Sequence, residues 1–135
     1  MSETQQDTPC VYTYYPDTDI HEFVYKEASR RAVDTWLAQL DRFCREAPPD
    51  RTMRLLMDLR ESGHQPLSYT FERLRRLNDQ YAVRPKGRFC FLYAGIGLMT
   101  VVSTFARIMR SRDTVRFFYH GKRDEAVAWL LSDER

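Results

Sequence analysis

The sequence is poor in cysteine and has no long apolar run. Its three cysteines, Cys10, Cys44 and Cys90, form no close pair. An odd, scattered count excludes a disulfide framework and offers no zinc-ligand spacing. It points to a reduced, cytoplasmic setting. The longest apolar stretch, Phe89–Val102, is interrupted by Gly95 and Gly97. It falls short of the roughly 20 residues that a membrane-spanning helix needs. The first nine residues, MSETQQDTP, have no apolar core of the kind a secretion signal carries, and they read as a disordered lead-in. Charge of one sign is also scarce, with a net +2 over 135 residues. Residues 1–27 hold six acids (Glu3, Asp7, Asp17, Asp19, Glu22 and Glu27) against Lys26, a balance of −5 that leaves +7 on the remainder. That surplus is thin for a nucleic-acid binder, which concentrates basic charge on one face. There is no internal repeat.

What is present is a bulky apolar set, 43% hydrophobic and 13% aromatic. This suits one core, so residues 10–135 read as a single domain behind the lead-in 1–9. Val11–Tyr15 and Ile20–Lys26 are aromatic and β-branched strands joined by the turn chemistry of Pro16-Asp17-Thr18-Asp19, a predicted hairpin. His21, Phe23 and Tyr25 form its inward side. Ser29 is placed to cap a helix over Arg30–Arg45, whose stripe is Val33, Trp36, Leu37, Leu40, Phe43 and Cys44. Pro48-Pro49 stops it. Met53–Leu59 is a buried strand ending in charge. Ser68 is the predicted N-cap of the next helix, with Phe71, Leu74, Leu77 and Tyr81 as its stripe and Arg73, Arg75 and Arg76 opposite. Arg88–Tyr93 is another strand, and Leu98–Arg110 another helix. Thr114–Tyr119 is the last strand, broken by Gly121. A final helix over Arg123–Leu131 turns Val127, Leu130 and Leu131 inward, with Asp124 and Glu125 at its positive end. The order is ββαβαβαβα. It predicts an α/β layer fold with a mostly parallel sheet of about five strands, an N-terminal hairpin and four helices.

This order resembles the SpoIIAA-like fold, the group of STAS domains and the Sec14-like lobe, over about residues 11–133. The leading hairpin, the strand RLLMDLRES, the segment from Ser68 and the closing VRFFYHGKRDEAVAWL carry the resemblance. It implies a divergent bacterial member, a regulatory protein-interaction domain resembling anti-sigma factor antagonists. In that family a serine at the start of the helix after the central strand is phosphorylated by a partner kinase and switches binding. The resemblance implies Ser68 or Ser62 as the counterpart here, although the family's Asp-Ser-Ser-Gly pattern is absent. The implied partner is a kinase or an anti-sigma-like regulator. The aromatic hairpin adds a homodimer as a further expectation.

Asp58, Glu61, Ser62 and Ser68 are therefore the candidate interaction and phosphorylation residues. As plain structure, Ser68 is a helix cap and Asp58 accepts hydrogen bonds from the following turn. Arg73, Arg76, Arg107 and Arg110, with Arg112, are anion-binding candidates; as plain structure they are solvated helix faces. A small lipid- or anion-binding module of Sec14-like type is the alternative function, with a pocket lined by Phe89, Phe91 and Phe117. A hydrolase-like enzyme built from Asp58, His64 and a serine is the second. It lacks a G-x-S-x-G elbow. Gly95-Ile96-Gly97 lacks the third glycine of a dinucleotide loop, because Thr100 stands there. His21, His64 and His120 have no ligand partners in sequence and read as surface residues. Neither metal nor cofactor is expected, and catalysis is not the leading expectation.

Overall fold

The fold is that of a computed structural model, which describes residues 8–63, 65–94 and 113–132. Five strands form one sheet in the order β1 (Cys10–Tyr15), β2 (Ile20–Tyr25), β3 (Thr52–Asp58), β4 (Lys86–Tyr93) and β5 (Thr114–Tyr119). The first pair is antiparallel and the other three are parallel. The α-helices among the described residues are α1 (Arg30–Glu46), α2 (Leu67–Gln80) and α3 (Arg123–Leu131). The fourth expected helix, Leu98–Arg110, lies outside the described residues, as do Gly95, Gly97, Thr100, His64 and most of the lead-in.

The hairpin closes through Pro16–Asp19, where the Asp19 amide donates to the Tyr15 carbonyl at 2.8 Å. Asp19 takes a left-handed φ of 59°, which aspartate tolerates because its short side chain bonds locally. Ser29 caps α1 as expected, its hydroxyl accepting from the Ala32 amide at 3.2 Å.

The central strand reads as a nearly unbroken apolar run because both faces of the sheet are covered. Successive side chains alternate between faces. Phe23, Leu55, Met57, Phe89 and Phe91 pack on one face with Trp36 and Leu40 of α1 and Phe71 and Leu74 of α2. Ile20, Leu56, Cys90 and Leu92 pack on the other with Ala126, Trp129 and Leu130 of α3. Each fully buried leucine or methionine contributes roughly 1.5–3 kcal/mol relative to exposure.

β5 ends at Tyr119 as expected, with Gly121 in the short 3-10 turn, His120–Lys122, that follows. One expectation about the last helix is corrected. The inward face of α3 is Ala126, Trp129 and Leu130, and Leu131 is exposed. The rotation follows from two arginines. Arg88 lies with its guanidinium 3.9 Å from the Trp129 ring centroid and donates to the Trp129 carbonyl at 2.7 Å. Arg54 donates to the Leu130 carbonyl at 3.1 Å. Both satisfy acceptors that the helix end leaves open, which turns Trp129 onto the sheet. Cys44 is half-buried rather than part of the sealed α1 stripe.

Candidate functional site

The carboxyl ends of the parallel strands carry the chemistry. Asp58 closes β3 and is buried. Its Oδ1 accepts from the Arg60 amide and Nε, both at 3.0 Å, and its Oδ2 accepts from Arg60 Nη2 at 2.8 Å. Arg60 Nη1 donates onward to the His120 carbonyl at 3.1 Å. On the same sheet face of β2, Glu22 accepts from Tyr15 Oη and from Arg123 Nη2, each at 2.8 Å. Burial pulls the Asp58 carboxyl up, but the hydrogen bonds and charge of Arg60 outweigh it, with help from Arg123. The net position is below the ordinary carboxylate value. Arg60 is raised in turn by its hydrogen bonds to Asp58. Asp58 is thus held ionised and saturated with donors, which suits a fixed electrostatic post rather than a proton exchanger near neutral pH.

The loop after β3 is pinned by Gln65, which is buried. Its Nε2 donates to the Glu27 carbonyl at 3.0 Å and to Ser62 Oγ at 3.1 Å, and its Oε1 accepts from the Ser29 amide at 3.2 Å. Ser62 is half-buried and donates to the Gly63 carbonyl at 3.0 Å. Glu61 is exposed and pairs with Lys26 at 3.2 Å. Glu27 is held down at about 2, first by hydrogen bonds from Arg31 and then from Ser29.

Ser68 is not the N-cap. Pro66 takes that position in extended geometry (φ −64°, ψ 108°), and Ser68 is the second helical residue. The proline fixes the turn geometry, and its carbonyl accepts from the Thr70 amide at 3.0 Å and from Thr70 Oγ1 at 2.7 Å. The first turn of α2 consequently has neither a side-chain cap nor an acid, and Ser68 is exposed. Beside it, Tyr69 donates its hydroxyl to Asp34. The guanidinium groups of Arg30 and Arg73 lie 5.0 and 4.9 Å from its ring centroid. This clasp ties the beginnings of α1 and α2 together, with Ser68 next to Tyr69 in the chain.

The structure thus brings Asp58, Glu61 and Ser62 onto one edge, with Ser68 opening the helix that follows. Arg76 is exposed and pairs with Glu72 at 3.1 Å. Arg107, Arg110 and Arg112 lie outside the described residues. Phe89, Phe91 and Phe117 do not line one pocket among the described residues: Phe91 stacks on Phe117 at 5.1 Å between centroids, and Phe89 borders a separate cavity. His120 is exposed, as expected of a surface residue, and His21 is buried, which fits its inward place on the hairpin and overturns its reading as a surface residue. His21 Nδ1 bonds Tyr12 Oη at 2.7 Å, and its Nε2 has no partner among the described residues. Desolvation lowers its pKa. Aromatic neighbours Tyr12, Tyr14 and Phe43 account for its burial. Sequence reading missed the links of Glu22 to Arg123 and of Gln65 to Glu27, which only the fold brings together.

No protein-family model, no curated protein and no solved structure matches the chain.

Proposed function

We propose that this chain is a non-catalytic protein-interaction module of SpoIIAA-like type, docking its partner on the carboxyl edge of β3 and the first turn of α2. The observation that carries the reading is the exposed Ser68 on an uncapped helical turn beside the Arg30–Tyr69–Arg73 clasp. A phosphate on Ser68 would sit among first-turn amides and the positive helix end. It would also change the sign of the surface that a partner meets. Ser62 suits such a switch less well, because its hydroxyl is engaged in the Gln65 network. The parallel pairing of β2 through β5 behind an antiparallel β1 supports the SpoIIAA-like assignment. The carboxylates of Asp58 and Glu22 are each matched by an arginine, which favours binding over acid–base chemistry.

The test is affinity capture from the source cell with wild-type, Ser68→Asp and Arg73→Glu chains. The reading expects one protein to be retained by the wild type and lost or exchanged with both variants. Identical retention by all three chains would remove Ser68 and the clasp from the interface.

A further inference from the structure

The opposite edge of the molecule is not fully packed. Above the starts of β3 and β4, between the later halves of α1 and α2, lies a void of about 40 Å³ that opens to a mouth. Its unfilled space is about 440 Å³ in all, the open mouth included. The wall is apolar: Leu40, Phe43, Met53, Leu74, Leu77 and Phe89. Asn78, Arg84 and Asp113 supply the polar part of the lining. Protein interiors pack to the density of organic crystals, so a void of this size is uncommon.

One polar atom at this void is sealed without a partner: Arg84 is buried, and its Nε has no hydrogen-bond partner among the described residues. Asn78 also lines the void and is only 9% exposed, but its carboxamide still reaches solvent. Buried polar groups are nearly always paired, and each exception calls for a cause. The charge at the site is already closed. Both Nη atoms of Arg84 donate to Asp113, whose Oδ1 also accepts from the Gly87 amide at 2.8 Å. An anionic head would have to compete with Asp113 for that guanidinium, whereas a neutral head needs only the carboxamide of Asn78, which both donates and accepts.

We propose that this cavity binds a small neutral amphiphile, a short alkyl chain bearing a hydroxyl or amide, with the chain against Leu40, Met53, Leu74 and Phe89 and the head on Asn78. The site is independent of the docking surface at the other edge. The depth of the void limits the buried part to a few carbons, with the remainder in the mouth.

The experiment is a titration of the full ¹⁵N-labelled chain with 1-hexanol and, separately, with hexanoate. The Asn78 side-chain amide signals and the melting temperature are the readouts. The expected result is saturable movement of the Asn78 signals with hexanol, a raised Tm, and hexanoate binding at least tenfold weaker. Leu77→Trp, which fills the mouth, is expected to abolish saturation. Asn78→Leu is expected to weaken hexanol binding about tenfold, because it removes the head's hydrogen-bonding partner. Non-saturating shifts in the wild type would mean a cavity holding only water and would overturn the proposal. Equal binding of hexanoate would overturn the neutral-head assignment. Should Leu77→Trp fail to fold, Asn78→Leu decides alone, and wild-type affinity in that variant would also overturn the proposal.

Discussion

The two edges of the sheet hold charge in opposite ways. At the carboxyl edge, Asp58 meets Arg60 two residues away, and the arginine remains about a third exposed. At the amino edge, Arg84 meets Asp113 from 29 residues away, and the pair is sealed, with side chains 6% and 0% exposed. The first arrangement is local and leaves a charged surface facing solvent. The second is long-range and bolts the segment before β4 to the residue before β5. A buried pair matters most when one partner is lost, because the survivor is an uncompensated charge. An exposed pair loses little, because water replaces the partner. The amino edge therefore carries structure, and the carboxyl edge is free to carry recognition.

The largest expected effect tests that contrast at its sealed side. Asp113→Ala should destabilise the fold by about 3–5 kcal/mol in urea unfolding, because Arg84 is left buried without its counter-charge. A loss under about 1 kcal/mol would show that the pair is not sealed in solution. The next effect is steric. A Cβ on Gly87 would clash with the Phe89 ring, so Gly87→Ala should cost about 1–3 kcal/mol through overpacking, read by the same unfolding curves. At the carboxyl edge, Glu61→Ala breaks an exposed pair and should change stability by no more than about 0.5 kcal/mol.

Acid titration sharpens the comparison further. The folded pKa of His21 is depressed relative to the unfolded chain. Its contribution is therefore present above about pH 6.5 and is lost as pH falls below that value toward the folded pKa. Asp58 is also depressed, but from the ordinary aspartate value of 3.8. Its contribution persists down to about pH 4 and is lost only below it. His21→Phe should flatten the stability profile below pH 6.5 and leave the more acidic limb, whereas Asp58→Asn should flatten the more acidic limb alone. A His21→Phe profile identical to wild type between pH 5 and 6.5 would contradict a buried neutral imidazole.

The strands were legible because their β-branched and aromatic runs are bounded by turn residues, and α1 because its stripe follows the helical period from a serine cap. The bounds of β3 shifted by one residue, from Met53–Leu59 to Thr52–Asp58. Leu59 still donates its amide to the Leu92 carbonyl at 2.8 Å. Serine's cap preference points to Ser68, but Pro66, whose fixed φ starts the helix, places the cap two residues earlier. The rotation of α3 was hidden because Arg54 and Arg88 reach its carbonyls only after the sheet forms. Of the candidate site, Asp58 and its capping role were readable from the strand end and the turn that follows. The clasp on Tyr69 and the Gln65 anchor join residues more than 30 positions apart, and no local pattern announces them.

The central claim is that recognition occurs at the carboxyl edge. A photo-crosslinking residue placed in turn at Ser68 and at Lys86, which is exposed at the opposite edge, tests it in the source cell. The account predicts a covalent adduct with a single partner from position 68 and none from position 86. An adduct from position 86 with none from position 68 would contradict it.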